Sequence, residues 1–271
     1  MSATRPVFFV SDHTGITAEV VGKSLLSRFS EHSFTVSSLP FTDDMVKVEH
    51  AARIIEAATR AHGQRALVIS TLTDSRLRQR LVQTDCLLLD VFSLFLAQLE
   101  SELGESATPA LGQAHGLRDH GLYRARMEAV NFTLATDDGL AIERYDQADL
   151  ILVGVSRSGK TPTSLYMAMQ YGLKVANDPL TPEDLEQRTL PQRLDKYLVK
   201  LRGLTLLPER LAQIREERRP RSTYASLANC RQELHAAERM LHARGIPLID
   251  STQRSVEEIA ARLKQSLGTA P

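Results

Sequence analysis

The sequence predicts an α/β protein in which two domains are each built on a β-sheet. Short apolar runs alternate with segments of helical period through the first hundred residues, which is typical of parallel strands joined by crossover helices. The second half of the chain opens near residue 149 with a strand, a loop and a helix, after a stretch without clear periodicity. The chain has 271 residues, 42% of them hydrophobic and 24% charged, which suits one large domain or two smaller ones.

The N-terminal elements alternate regularly between strand and helix. Because crossover helices must cover both faces of a parallel sheet, this order predicts a doubly wound parallel sheet over residues 1–104. The predicted strands are residues 7–10, 34–39, 66–70 and 86–89, and the predicted helices are residues 16–29, 45–61, 75–83 and 91–103.

The stretch that follows is predicted to connect the two domains. Residues 104–121 are rich in Gly, Ala, Thr and His and have no clear period. A helix at residues 122–135 then leads to Asp137, Asp138 and Gly139, where an acidic pair before glycine is a turn signal. We assign residues 105–145 to this connection and its linking helix.

The C-terminal domain, residues 146–271, begins with a β-branched and Leu-rich run that reads as a buried strand. Ser255 and Glu258 form a capping-box pattern at the start of the last helix. The predicted strands are residues 149–153, 173–176 and 246–249, and the predicted helices are residues 161–171, 191–200, 208–218, 224–244 and 255–267.

One motif in this domain indicates phosphate chemistry. Residues 154–161 match GxxxxGK[ST] at every fixed position and lie between a predicted strand and a predicted helix. Glycines at both ends let N–H groups point inward, and the helix dipole adds positive potential, so a diphosphate or triphosphate fits. We therefore predict a P-loop kinase-like α/β domain. The predicted phosphate-binding residues are Gly154, Val155, Ser156, Arg157, Ser158, Gly159, Lys160 and Thr161.

Within the loop, each polar side chain has an expected role. Lys160 would neutralise the outer phosphates, and the Thr161 hydroxyl would bind a Mg²⁺ ion that bridges them. Arg157 is either a second cation for the transferring phosphoryl group or a solvated side chain. Asp90 and Asp250 both follow predicted strands and are open as second Mg²⁺ ligands, with a base-contacting or structural role preferred for Asp250.

Other polar clusters admit two interpretations. Asp12 follows the first strand, where open α/β sheets bind ligands, and could accept a proton from a hydroxyl nucleophile or lie in a simple polar turn. His115 is expected to be an ordinary histidine. A basic run is either a solvated helix end or a lid or dock for an acidic partner; it comprises Arg215, Arg218, Arg219 and Arg221.

Composition excludes several classes of function. Thirty-three basic and thirty-three acidic residues leave no net charge, so no global field recruits nucleic acid or an anionic membrane. Apolar runs are too short to span a bilayer and the N-terminus lacks a signal pattern, so we expect a cytoplasmic protein. Cys86 and Cys230 belong to no metal or disulfide pattern and are expected to be small buried residues.

Several motifs along the chain together resemble one protein family. They are Ser11-Asp12 with Thr14-Gly15 and Thr17-Ala18-Glu19; Asp137-Asp138-Gly139; GVSRSGKTPTS at residues 154–164; Gly203-Leu204-Thr205 with Pro208-Glu209-Arg210-Leu211 and Ile214-Arg215; and Ser255-Val256-Glu257-Glu258-Ile259-Ala260. On these motifs the chain resembles the phosphoenolpyruvate synthase regulatory proteins, relatives of the pyruvate, phosphate dikinase regulatory proteins. The extended P-loop is the most specific of them, whereas His13 departs from the small polar residue commoner in relatives.

The resemblance implies a bifunctional transferase. Its serine/threonine kinase reaction uses ADP to phosphorylate a threonine of phosphoenolpyruvate synthase, which inactivates the synthase and releases AMP. A reaction with inorganic phosphate removes that group as pyrophosphate and reactivates the synthase. Lys160 and Arg157 would stabilise the transferring group, and Asp12 or Asp138 would orient or deprotonate the threonine. Expected ligands are ADP, phosphate and Mg²⁺, and the sequence leaves a homodimer open.

Three alternatives compete with this interpretation. The same activities could act on pyruvate, phosphate dikinase, or the chain could be an ATP-dependent small-metabolite P-loop kinase, which the element at residues 250–267 would suit. A non-enzymatic nucleotide-binding switch would bind a partner without phosphate exchange. The large N-terminal domain fits the regulatory reading better than the metabolite kinase.

Overall fold

The structure, a computed structural model, describes residues 4–107 and 120–268. It divides into two compact units, Met1–Arg118 and Asp119–Pro271. Among the described residues, no helix combines the length and apolar character needed to cross a membrane.

The first unit contains four strands and four helices in strict alternation. The strands are β1 (Arg5–Val10), β2 (Phe34–Leu39), β3 (Ala66–Ser70) and β4 (Cys86–Asp90), and the helices are α1 (Ile16–Leu26), α2 (Met45–His62), α3 (Ser75–Val82) and α4 (Val91–Leu103). All neighbouring strands are parallel, in the order β2–β1–β3–β4. Helix α2 shows why the boundaries fall where they do: Asp44 caps its first turn, and Gly63 ends it in a left-handed conformation.

Alternating residues of the strands pack on opposite faces of this sheet. On one face, Phe8 and Val68 join a cluster with residues of α2 and α3 such as Ile55 and Leu81. On the other face, Phe9 packs with Ala18 of α1 and Ile69 of β3. Helices therefore cover both faces of the sheet.

The second unit repeats this architecture with longer connections. Its strands are β5 (Leu150–Gly154), β6 (Val175–Pro179), β7 (Leu201–Thr205) and β8 (Leu248–Asp250). Its α-helices are α5 (His120–Ala135), α6 (Lys160–Tyr171), α7 (Pro182–Gln187), α8 (Pro208–Arg218), α9 (Leu227–Ala243) and α10 (Val256–Gly268), and its 3₁₀ segments are Asp137–Gly139, Ile142–Gln147, Gln192–Lys200 and Thr223–Ala225. The strands are again all parallel, in the order β6–β5–β7–β8.

Strand β5 lies inside this sheet and is buried on both faces. Ile151 and Val153 pack in a cluster with residues of α7, α8 and α9, whereas Leu150 and Leu152 pack with Met167 of α6 and with residues of α10. The carboxyl end of β5 therefore opens between helices from both faces of the sheet, where ligands of open α/β sheets bind.

The predictions of an α/β protein and of a parallel sheet in the N-terminal domain are confirmed, and the second sheet is parallel as well, but some elements differ. Strand β7 was missed because Arg202 and Gly203 interrupt its apolar pattern, and α7 was also missed. Residues 192–200, predicted as an α-helix, form a 3₁₀ segment, and α9 begins three residues later than predicted. Of the predicted connection, residues 108–119, including His115, lie outside the described residues, and α5 packs against α6 of the second unit.

A glycine in α1 allows this helix to approach β1, and this gives a stability prediction. A Cβ on Gly22 would lie 2.2 Å from Cε1 of the buried Phe9 ring. Alanine normally stabilises a helix by about 1 kcal/mol over glycine, but overpacking a core costs about 1–3 kcal/mol. We expect Gly22→Ala to lower the free energy of unfolding by about 1–2 kcal/mol in urea titrations followed by circular dichroism.

Ser24→Ala, at an exposed position of the same helix, is the matched control and should leave the unfolding midpoint unchanged or slightly raised. Phe9→Leu combined with Gly22→Ala should recover part of the loss, because the two sites are in contact. A Gly22→Ala variant as stable as the parent would contradict this account of the contact.

Candidate active site

The loop between β5 and α6 has the backbone geometry that a phosphate nest requires. Gly154 has φ +150° and Gly159 has φ +94°, conformations that favour glycine. A Cβ on Gly154 would lie 2.5 Å from the carbonyl oxygen of Leu204 in β7, so the close approach of two strand ends also requires glycine there. Gly159 is the N-cap of α6 and supplies no side-chain cap, which leaves the first N–H groups of this helix for a ligand.

Lys160 is buried at the start of α6, with 4% of its surface exposed. Its Nζ donates a hydrogen bond of 2.9 Å to the carbonyl oxygen of Val155, at the other end of the loop. Burial lowers the pKa of Lys160 to about 8, although the charges of Asp138, Asp178 and Asp137 oppose this shift. The ammonium group therefore lies inside the loop, and no carboxylate of the described residues forms an ion pair with it.

Thr161 lies beside a carboxylate that comes from before β5. Its Oγ1 donates to Oδ1 of Asp137 at 3.0 Å, and Nδ2 of Asn177 donates to both Asp137 Oδ1 (2.5 Å) and Thr161 Oγ1 (2.9 Å). The sequence interpretation treated Asp137 as part of a turn and did not single out Asn177. Asn177 lies in β6, a strand that was predicted to end at residue 176 but extends to Pro179.

Asp138 occupies an unusual backbone conformation next to this cluster. Its φ is +51°, and Gly139 follows with φ +75°, so two successive residues are left-handed. The Asp138 side chain is exposed, and of the three carboxylates that oppose the fall in the pKa of Lys160 it has the largest effect. The predicted candidates Asp138, Lys160 and Thr161 thus lie in one neighbourhood.

Arg157 lies at the exposed tip of the loop. It has φ +73°, which is uncommon for a residue with a side chain. Its guanidinium makes no hydrogen bond or ion pair with the residues that the structure describes. This arrangement fits both roles considered for Arg157, a solvated side chain or a cation available to an incoming phosphate.

Of the two interpretations of the basic run, a solvated helix end is wrong for Arg215. It is fully buried, and its guanidinium donates to the carbonyl oxygen of Ser156 (3.1 Å) and to Glu233 (2.7 Å) and lies over the Tyr224 ring. The Tyr224 hydroxyl in turn donates to Ser156 Oγ at 3.0 Å. Arg215 and Tyr224 therefore hold the P-loop at Ser156, while Arg218, Arg219 and Arg221 are exposed.

Asp178, near the end of β6, is a fully buried carboxylate whose hydrogen bonds come from neighbouring side chains. Arg193 donates to it at 2.9 Å and to Asp184 at 2.7 Å, and the Tyr145 hydroxyl donates to it at 3.0 Å. Hydrogen bonds to Asp184 and Asp178 raise the pKa of Arg193. Burial and the charge of Asp178 raise the pKa of Tyr145, so Tyr145 stays a neutral donor.

The other acidic candidates have local partners. Asp250 accepts from the backbone and side chain of Thr252, which lowers its pKa, and Asp90 caps α4. In the first unit, Oδ2 of Asp12 accepts from the backbone N–H (2.7 Å) and hydroxyl (2.6 Å) of Thr73. Ser251, next to Asp250, donates to the Ser158 carbonyl oxygen at 3.1 Å, so the loop after β8 contacts the P-loop.

The described residues contain no cluster of three or more His, Cys, Asp or Glu side chains that could hold a metal ion. Cys86 and Cys230 are free and buried, as expected. Burial raises the pKa of the Cys86 thiol to about 11 and also raises that of Cys230. Neither thiol is a nucleophile at neutral pH.

Comparison with known proteins identifies close relatives. A family profile described as "Kinase/pyrophosphorylase" matches residues 7–263. A "Putative phosphoenolpyruvate synthase regulatory protein" of Thiobacillus denitrificans is 54% identical over 260 residues, covering 96% of this chain and 98% of the relative. Proteins of the same name from Azoarcus sp. (50% identity over 97% of this chain and 95% of the relative) and Stenotrophomonas maltophilia (48% over 99% and 98%) are similar along nearly their whole length. These matches confirm the resemblance drawn from the motifs.

The buried Lys160 gives a prediction on proton uptake. With its pKa near 8, about three quarters of the ligand-free protein carries an uncharged Lys160 at pH 8.5. Phosphates placed beside the amine favour its charged form, so binding of ADP should take up about 0.7 proton. Titration calorimetry at pH 8.5 without Mg²⁺ should therefore give enthalpies that depend on the ionisation enthalpy of the buffer.

Lys160→Arg is the matched control, because a guanidinium stays protonated at this pH and its variant should show no buffer dependence. Buffer-independent enthalpies for the parent protein, together with measurable binding, would show that Lys160 is already charged before the ligand arrives.

Proposed function

The chain belongs to the kinase/pyrophosphorylase family, and from that we propose that it is an ADP-dependent serine/threonine kinase and phosphate-dependent pyrophosphorylase. Its protein substrate would be phosphoenolpyruvate synthase, the enzyme in the printed names of its relatives. Phosphorylation of a threonine would inactivate the synthase, and removal of the group would reactivate it.

The observation that carries this proposal is the P-loop kinase-like site at the end of β5. A left-handed glycine at each end, an α6 without a side-chain cap and a buried Lys160 form a nest for two adjacent phosphates. Since the backbone N–H groups and the lysine recognise phosphate oxygens, they hold either the diphosphate of ADP or inorganic phosphate beside a phosphorylated side chain.

In the kinase direction, the threonine oxygen of the target attacks the β-phosphorus of ADP. The bond from this phosphorus to the α–β bridging oxygen breaks, AMP leaves with that oxygen, and the hydroxyl proton moves to a carboxylate. Lys160 and Arg157 stabilise the charge on the transferring group. Asp138 is the favoured acceptor of the proton, because its exposed carboxylate belongs to the same unit and interacts with Lys160. Asp12 remains the second candidate.

The reverse-acting reaction uses the same groups. An oxygen of inorganic phosphate attacks the phosphorus of phosphothreonine, the bond to the threonine oxygen breaks, and pyrophosphate forms. The carboxylate takes a proton from the attacking hydrogen phosphate and passes it to the leaving threonine oxygen. A single nest for two phosphates therefore accounts for both activities.

The residues present also fit Mg²⁺, the cation expected with ADP. Thr161 provides a hydroxyl oxygen 3.0 Å from a carboxylate oxygen of Asp137, and Mg²⁺ prefers such oxygen ligands combined with substrate phosphates. When bound, the ion would neutralise negative charge on the phosphates of the substrate.

Two alternatives are kept. Pyruvate, phosphate dikinase would be an equivalent target for the same chemistry. An ATP-dependent small-metabolite kinase is favoured by one contact, the hydrogen bond from Ser251 to the P-loop carbonyl of Ser158, because it places the loop after β8 beside the nucleotide site.

The first test is incubation of the protein with Mg²⁺, active phosphoenolpyruvate synthase and either ADP or ATP. We expect ADP to inactivate the synthase with phosphorylation of a threonine and release of AMP, and phosphate to restore activity with release of pyrophosphate. Synthase activity and mass spectrometry of its peptides measure both outcomes. If the synthase stays active and unmodified with either nucleotide, it is not the target. Pyruvate, phosphate dikinase and small-metabolite substrates would be assayed next.

A second test concerns the proton acceptor. Asp138→Asn removes the charge while keeping the shape, and general-base catalysis contributes about 10²- to 10⁴-fold, so both activities should fall by about that factor. ADP affinity should change little. Asp146→Asn, which removes an exposed carboxylate paired with Lys196, is the control and should retain both rates. If Asp138→Asn keeps full activity in both directions, Asp138 is not the base.

A further inference from the structure

Three side chains form a compact polar cluster beside the P-loop. Asp137 comes from the 3₁₀ segment before β5, Asn177 from β6 and Thr161 from the first turn of α6. Oδ1 of Asp137 accepts from the Thr161 hydroxyl and from Asn177, and Asn177 also donates to Thr161. One amide thus fixes the positions of both a carboxylate and a hydroxyl.

The hydrogen bonding leaves ligand atoms available in this cluster. Both contacts of Asp137 use Oδ1, and its Oδ2 makes no hydrogen bond to the residues that the structure describes. The Thr161 oxygen donates one bond and accepts one, so it keeps a second lone pair. Oδ1 of Asn177 is buried without a hydrogen-bond partner among the described residues, which is unfavourable unless a donor such as a metal-bound water reaches it.

These atoms match the way proteins bind Mg²⁺. The ion is usually held by one or two carboxylates together with substrate phosphates and waters, rather than by a cage of many acidic residues. A single carboxylate beside the P-loop hydroxyl is therefore sufficient. Asp250 is less suitable, because its carboxylate hydrogen-bonds Thr252, whereas that of Asp137 hydrogen-bonds the P-loop residue Thr161.

We propose that Asp137 and Thr161 are the protein ligands of a divalent cation, and that Asn177 is a positioning residue that orients both. This inference rests on the proposed function, because phosphates of the nucleotide supply the remaining anionic ligands. The acidic ligand then comes from the turn after α5, and not from the end of a strand as in the candidates Asp90 and Asp250.

The test measures Mn²⁺, which shares the oxygen-ligand preference of Mg²⁺, by electron paramagnetic resonance in the presence of ADP. We expect Asp137→Asn to weaken Mn²⁺ binding by about 100-fold and Asn177→Ala by about tenfold, the range seen when groups that support a metal site are removed. ADP binding in EDTA should stay within about threefold of the parent protein, because the P-loop itself is unchanged.

Asp146→Asn is the matched control for loss of one negative charge and should bind Mn²⁺ like the parent. Parent-like Mn²⁺ affinity in Asp137→Asn would overturn the proposal. Should Asp137→Asn fail to fold, cleavage of the parent protein by bound Fe²⁺ with ascorbate provides an independent measurement. Cuts near residues 137, 161 and 177 support the site, and cuts confined to other regions reject it.

The measurements separate this inference from the proposed function. Nucleotide binding in EDTA reports on the P-loop alone, whereas Mn²⁺ binding reports on the cation ligands. ADP binding without any Mn²⁺ site in the parent protein would overturn the cation proposal and leave the kinase reading standing. If the parent protein does not bind ADP but binds Mn²⁺ in the presence of pyrophosphate, the ADP-dependent kinase proposal is overturned and the cation site stands.

Discussion

The second unit depends on keeping a lysine ammonium out of water. An isolated buried ion costs several kcal/mol, so the fold must supply partners for Lys160 without locking it in an ion pair. The carbonyl oxygen of Val155 accepts its hydrogen bond at 2.9 Å, and three carboxylates act on it electrostatically. Its pKa is lowered by burial, yet only to about 8. Phosphates bound beside the amine would raise this pKa again and favour the fully protonated form.

The charged side chains around Lys160 leave its amine without a carboxylate ion pair among the described residues. Asp178 is fully buried and lies close enough to influence Lys160. Arg193 and Tyr145 saturate Asp178, and Arg193 is also held by Asp184, so Asp178 is neutralised by a partner other than the lysine. Without that arrangement a carboxylate would compete with phosphate for Lys160, since both recognise the same ammonium group.

Sequence reasoning predicted the parts of this site that are local in the chain. The P-loop spacing singled out residues 154–161, and the alternation of apolar and helical segments predicted the parallel sheet of the first unit. It missed β7, because Arg202 and Gly203 interrupt the apolar pattern of this short internal strand. A Cβ at Gly203 would clash with the Leu248 side chain, which explains the glycine. It also missed the Asp137–Thr161–Asn177 cluster and the burial of Arg215. Those depend on pairings across 16 to 59 residues, which residue spacing along one chain does not show.

Arg215 shows that the shape of the P-loop is set by its surroundings. A buried ion pair such as Arg215 with Glu233 adds little net stability, because desolvation offsets the attraction. Nε of Arg215 also has no hydrogen-bond partner among the described residues. The arginine does, however, hold the Ser156 carbonyl oxygen through a hydrogen bond, while the Tyr224 hydroxyl donates to the Ser156 hydroxyl. The next residue, Arg157, adopts a left-handed conformation that costs an L-residue about 1–2 kcal/mol. A loop that maintains this conformation through contacts with α8 and the Tyr224 segment is ordered before phosphate arrives, so binding free energy is not consumed in ordering it.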